Sequence, residues 1–483
     1  MSDHSEKVIS NLIWRFAERT GAKAVGFVVS IILARILEPE AYGTVALIAV
    51  FTSILQVFID SGLGNALIQK KDADDVDFST VFYVNIVFCA VLYALLFAAA
   101  PLIAAFYEMP ELTPYVRVLG LTVLISGVKN IQQAYVSRHL IFRKFFFATL
   151  GGTIVAAIAA IAMALNGFGV WALVTQQVIN VVIDTIILWI TVKWRPIRAF
   201  SLVRLKGLFS YGWKLLLSSL LDTGYGNLWQ LIIGKQYSSA DLAYYNKASS
   251  FPSLIITNIN SSIDSVLLPT MADAQDDRAR VKQMTRRAVK TSTYILSPLM
   301  VGLAACAEQI ILVLLTDKWI ACVPFLQIFS IAYLLTPIHT ANLNAIKSVG
   351  RSDIFLRQEV VKKITGLLIL VFTMPHGVLI MALGELVNCF LCLFINAWPN
   401  QRLLGYSLLE QMRDIFSGVA LAVFMGVIVY CMGFLPIPTA LILIIQIAAG
   451  AIIYIGGSAL LRIEAYEYLI DMAKNWLQRR RAR

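Results

Sequence analysis

Residues 14–35 read WRFAERTGAKAVGFVVSIILAR. The second half is an unbroken apolar run, as the first span of a membrane protein requires. The first half carries Arg15, Glu18, Arg19 and Lys23. Arg15, Arg19 and Lys23 fall at i, i+4 and i+8, so at 3.6 residues per turn they share one face. A charge at the bilayer centre costs about 2.5–3.5 kcal/mol on insertion scales, so a basic stripe there must face water, a partner or a ligand. Arg15 lies near the cytosolic end, where its side chain can snorkel to the interface. Lys23 sits about 13 residues into the span, roughly 20 Å by helical rise. That is too deep to snorkel, and Lys23 is read as facing a water-filled cavity.

The rest of the chain is equally apolar. Its 483 residues are 59% hydrophobic and 14% charged, with mean hydropathy +0.75; a soluble chain carries about 25% charge. Apolar windows place fourteen spans, beginning near residues 10, 41, 78, 112, 145, 169, 207, 241, 288, 322, 355, 377, 414 and 437. The even-numbered connections hold 23 Lys and Arg, and the odd-numbered ones hold only Arg35, Lys235 and Lys318. This asymmetry puts both termini in the cytosol. It also accounts for the net charge of +11 without nucleic acid. The first apolar run is broken by charges and lacks a small-residue cleavage site, so it reads as mature structure rather than a signal peptide.

Two halves look alike. Trp14-Arg15 is echoed by Trp213-Lys214, Arg35 by Lys235, and Ala41-Tyr42 by Ala243-Tyr244. The fold class expected is an all-α polytopic membrane protein. Two six-helix lobes would be related by a pseudo-two-fold axis along the membrane normal, the plan of alternating-access transporters. The lobes would be 1–195 and 210–400, joined by an amphipathic cytosolic linker, 196–209, read as a helix on the inner leaflet. Spans thirteen and fourteen, 401–463, lack charge from Ile415 to Leu461. They read as packing elements or a groove for an acyl or isoprenoid chain. The basic amphipathic tail 464–483, with Arg479, Arg480, Arg481 and Arg483, would meet anionic lipid.

The chemistry-bearing residues favour transport over catalysis. There is no GxxxxGK[ST] loop for ATP, and the four His show no arrangement for a nucleophilic triad. Asp72, Asp74, Asp75 and Asp77 read as a solvated turn. Cys389 and Cys392 form a CxxC inside a span, with no second pair to complete a zinc site; no metal and no cofactor is expected. The intramembrane ionisable residues are the informative set. Arg15, Arg19, Lys23, Lys129, Lys214 and Lys247 are candidates to line a cavity for an anionic substrate, since Arg and Lys suit a diphosphate. Glu18, Asp60, Asp222 and Asp264 are candidates for proton or sodium coupling or for counter-ions to those bases. For Asp60 and Asp264 the counter-ion role is preferred.

LARILEPEAYG (33–43), DSGLGNALIQK (60–70), LLPTMADAQDD (267–277) and KWIACVPFLQ (318–327) resemble motifs of the Wzx-type polysaccharide exporters, closest to the colanic-acid and teichuronic-acid branch. The resemblance covers nearly the whole chain. It implies a V-shaped fold shared with multidrug/toxin antiporters and peptidoglycan-precursor flippases. It further implies flipping of an undecaprenyl-diphosphate-linked repeat unit across the bacterial cytoplasmic membrane, driven by an ion gradient. Membrane lipids, a polysaccharide polymerase and chain-length or export machinery are the implied partners. Arg15, Arg19 and Lys23 stand where related flippases place basic residues in the first helix. Two rivals remain. A multidrug antiporter on the same fold would stop at twelve helices. A polymerase or ligase would need a large external loop, and the longest here has about eight residues.

Overall fold

The computed structural model describes residues 21–60 and 63–481, so Arg15, Glu18 and Arg19 lie outside the described residues. The chain divides into two compact units, Met1–Ala243 and Tyr244–Arg483. Every regular element described is helical.

Unit 1 contains α1 (21–36), α2 (Pro39–Asp60), α3 (Leu63–Gln69), α4 (Asp75–Phe106), α5 (Leu112–Arg138), α6 (Arg143–Leu165), α7 (Val170–Thr191) and α8 (Leu202–Gln236). The next helix, α9 (Ser239–Ala272), crosses the division. Unit 2 holds α10 (Arg278–Ala305), α11 (Ala307–Leu314), α12 (Cys322–Leu334), α13 (Thr336–Ser348) and α14 (Ser352–Thr373). It continues with α15 (Val378–Leu404), α16 (Leu408–Met432), α17 (Thr439–Leu460) and α18 (Glu464–Arg481).

Nine helical segments among the described residues are long and apolar enough to cross a membrane; the bent pair α10–α11, at 69°, makes a tenth if it is one span. The other expected spans fall on α1, described only from residue 21, and on α8, α9 and α14. The last three are 35, 34 and 22 residues long and carry ionisable residues: Lys214 and Asp222, Lys247 and Asp264, Lys362 and Lys363. The duplication has a structural trace. α1 ends at residue 36 and α2 begins at 39; α8 ends at 236 and α9 begins at 239.

The stretch 196–209 differs from the helix expected of it. Residues 192–201 are irregular, and 202–209 open α8 without a break. Pro196 disfavours helix at Arg195. The backbone amides of Ile197 and Ser201 are instead taken by Ser79 Oγ at 2.9 Å and Thr80 Oγ1 at 3.1 Å, on α4. α8 then packs on α2, α3 and α4, which places it in unit 1. Beneath this strap lies an aromatic cluster of Phe78, Phe82, Tyr135, Trp189 and Trp194.

In the acidic run 72–77, Asp72, Asp74 and Asp75 are exposed as expected and Asp77 is not. Asp74 and Asp77 form a reciprocal capping box at the start of α4, satisfying backbone N–H groups that a helix start leaves orphaned. Asp77 is fully buried and pairs with Lys70 at 2.6 Å. Asp74 accepts from Arg204, and that hydrogen bond, with the Asp77 backbone amide, pushes its carboxyl down to about 2.

In unit 2, α10 is the hub, touching α12, α13 and α16. A buried amide network joins α13, α15 and α16: Asn342 Nδ2 donates to Gln411 Oε1 at 2.8 Å, and Asn400 Nδ2 to Asn342 Oδ1 at 2.7 Å. Without water in the bilayer such groups must satisfy one another. The pair α16–α17, without charge from Ile415 onward, is tied to α10 through Tyr294, whose hydroxyl donates to Ser458 Oγ at 2.8 Å. The tail helix α18 is also docked: Lys290 meets Glu464 at 2.5 Å, and Tyr466 and Leu469 pack against the cluster around Tyr294 and Leu421.

Candidate functional site

Unit 1 carries most of the candidate residues. Lys23, on α1, is exposed and makes no ion pair among the described residues. Lys129, on α5, is not free: its ammonium lies 3.2 Å from the Asp184 carboxylate on α7, with 15% and 11% of the two side chains exposed. The pair joins two spans 55 residues apart, so Asp184, not Asp60, is its hydrogen-bonded partner.

Asp60 closes α2 beside a polar pocket of about 300 Å³, shared with Asn65, Asn130 and Gln133. Its Oδ1 accepts from Gln56 Nε2 at 3.1 Å and from Asn130 Nδ2 at 3.2 Å. Its side-chain hydrogen-bond partners among the described residues are therefore amides. The opposite oxygen of Asn130 has no hydrogen-bond partner among the described residues. Close approach here depends on Gly64, where a Cβ would lie 2.6 Å from Asn130 Oδ1.

An apolar groove of about 740 Å³ runs between the end of α2, the start of α3, the first half of α4 and the opening turns of α8. Phe58, Phe88, Phe209 and Trp213 form its walls, and Lys206 lines it as well. At the other end of α8, Lys235 donates to the Phe106 carbonyl at 2.6 Å and pairs with Glu108 at 2.8 Å. That ion pair draws the exposed Glu108 carboxyl below its ordinary range. Nearby, the starts of α2 and α9 touch: a Cβ on Gly43 would lie 1.7 Å from the Ser239 carbonyl oxygen.

The remaining candidates are dispersed. Lys214 and Asp222 are exposed on α8, eight residues apart on one face. Lys247, on α9, is 6% exposed with its ammonium 5.8 Å from the Trp319 ring centroid. Asp264 lies on the same helix. Tyr245 donates to the Glu385 carboxylate, linking α9 to α15.

Sequence reading passed over the partnership of Lys129 with Asp184 as well as the Glu108–Lys235 pair. Only the second left a signal: Lys235 is one of three bases on the side otherwise poor in them, and Glu108 lies in a connection on that same side.

The chain is a long-helix, multi-pass membrane protein with ionisable residues held inside its spans, and solved structures share its fold. The structure matches the lipid II flippase MurJ in its inward closed conformation with TM-score 0.75 at 14% identity, covering 96% of this chain and 100% of that one. It matches an inward-facing multidrug resistance MATE transporter of the MOP superfamily with TM-score 0.61 at 14% identity, covering 78% and 94%. The chain belongs to the polysaccharide biosynthesis protein family, whose profile matches residues 32–324.

Its relatives include the succinoglycan biosynthesis transport protein ExoT of Rhizobium meliloti, 26% identical over 73% of this chain and 71% of that protein. The teichuronic acid biosynthesis protein TuaB of Bacillus subtilis is 25% identical over 84% and 85%. The lipopolysaccharide biosynthesis protein WzxC of Escherichia coli is 21% identical over 89% and 88%.

Proposed function

We propose that the chain flips a lipid-linked oligosaccharide, carried on undecaprenyl diphosphate, from the cytosolic to the outer leaflet of a bacterial cytoplasmic membrane. The observation that carries this reading is the family match over residues 32–324 on a flippase-like fold. Relatives named for succinoglycan transport and for teichuronic acid and lipopolysaccharide biosynthesis support a surface-polysaccharide cargo.

In this reading Arg15, Arg19 and Lys23 meet the diphosphate in a cavity that opens to one leaflet at a time. Lys23, exposed and without an ion pair among the described residues, supports that role, because an unmatched ammonium in a span needs an anion or water. Lys214 and Lys247 would add charge, and Lys129 would contribute through its pair with Asp184. Asp60, held by amides beside a polar pocket, is the candidate for coupling to a proton or sodium gradient, with Glu18, Asp222 and Asp264 as further acids. Membrane lipids and a polymerase with its chain-length machinery are the partners that the product requires.

Deleting the gene should trap the lipid-linked unit on the inner leaflet, and Lys23→Ala protein, present at normal level, should leave it trapped. Nascent polymer accumulating outside the membrane in the deletion strain would instead assign a later step. Both termini would lie in the cytosol. Reporter fusions after Lys71, Arg287 and Arg413 should then read as cytosolic, and one within 107–114 as external; a reversal at any of them breaks the topology.

A further inference from the structure

A second site lies apart from these residues, in unit 2. A groove of about 540 Å³ runs between the end of α15 and the first half of α14. Arg351, Arg357 and Arg402 line it. Arg351 is committed: it grips Asp353 through two hydrogen bonds of 2.8 Å. Arg357 and Arg402 make no ion pair among the described residues. Two unmatched guanidiniums therefore face one groove.

The rest of the lining is apolar. Ile354 and Ile395 form walls, and the Trp398 indole is 65% exposed. At the floor, Gln358 is 5% exposed; its Nε2 donates to the Ile395 carbonyl at 2.5 Å and its Oε1 has no hydrogen-bond partner among the described residues. Both arginines belong to connections assigned to the cytosolic side by their basic residues. Tryptophan is the side chain enriched at the headgroup level of a bilayer.

We infer that this groove binds one anionic glycerophospholipid of the cytosolic leaflet. Its phosphate would meet Arg357 and Arg402, and an acyl chain would follow the apolar wall past Trp398. Charge complementarity selects the occupant: two unmatched positive groups above an apolar wall fit an anionic head on a hydrocarbon chain, and a zwitterionic lipid satisfies them poorly. Basic pockets between helices on that side hold anionic lipids for this reason. The site adds a structural lipid to the molecule, and its test needs no transport assay, so it stands or falls independently of the cargo.

The test is native mass spectrometry of the purified full-length protein titrated with phosphatidylglycerol or phosphatidylcholine. Phosphatidylglycerol should bind preferentially. R357Q/R402Q should weaken it about 30-fold, two charges each worth roughly fivefold. R357K/R402K should stay within a few-fold of wild type, and R413Q, elsewhere on the basic side, should bind as wild type does. Equal binding of the two lipids, or a double Gln variant that binds phosphatidylglycerol normally, overturns the assignment. So does displacement of the lipid from the groove by a polyprenyl diphosphate, which would make it a cargo site. Should the Gln variant fail to fold, photoactivatable phosphatidylglycerol on the wild type should label 351–361 and 395–403; labelling confined to other helices also overturns it.

Discussion

Lys129→Ala should lower the stability of the protein by about 3–5 kcal/mol, the range seen when one partner of a buried ion pair is removed. The reason is Asp184. Its carboxylate is 11% exposed and Lys129 is its only ion-pair partner among the described residues, so truncation leaves an unmatched charge within the helix bundle. Removing both groups together is a different experiment, because an apolar pair of similar volume often costs little. Lys129→Met with Asp184→Leu should therefore recover most of the loss in a detergent melting curve. If the single variant melts as wild type does, the pair is not holding α5 to α7. Export adds a second reading: a double variant that folds but does not export would give Lys129 a part in the cavity as well.

Gly43→Ala should be the other severe substitution. The added methyl would sit 1.7 Å from the Ser239 carbonyl oxygen. That neighbour is backbone and cannot rotate away, so the start of α9 has to move. Overpacking of this kind costs typically 1–3 kcal/mol, and a backbone obstacle puts Gly43 at the upper end, about 3 kcal/mol. The displacement also strains the contacts of Lys235 with Phe106 and Glu108 at the same end of α8. Gly224 and Gly226, inside α8 with nothing within 4 Å, are the controls. Alanine there should be neutral or stabilise by up to about 1 kcal/mol, the helix-propensity difference. Melting curves for the three variants decide the matter, and a Gly43→Ala protein as stable as the controls would refute the close approach.

The fold was legible because membrane energetics write it in long strokes. Apolar windows and the one-sided distribution of Lys and Arg locate helices without any knowledge of packing. The matching breaks near Arg35 and Lys235 were legible too, since each base sits at the end of an apolar run. Side-chain partnerships were not. Lys129 and Asp184 are 55 residues apart, and nothing in one sequence says which acid meets which base. The stretch 196–209 misled because its alternation of apolar and basic residues mimics an interfacial helix. Its geometry is set by Pro196 and by hydroxyls on α4, a tertiary contact. Asp77 looked solvated because it sits in an acidic run, whereas burial against Lys70 decides its place. That Asp60 takes hydrogen bonds from Gln56 and Asn130 was equally hidden, since both are tertiary or helix-turn contacts.

If this chain by itself moves a lipid-linked oligosaccharide across a bilayer, no other protein is needed for the transfer. Reconstitution into proteoliposomes tests it most directly, with a fluorescent polyprenyl-diphosphate oligosaccharide and an impermeant enzyme or quencher that reports the leaflet. Transfer of the probe from one leaflet to the other should depend on the protein and be lost in Lys23→Ala liposomes of equal protein content. Transfer no faster than in protein-free liposomes, under proton and sodium gradients alike, would contradict it.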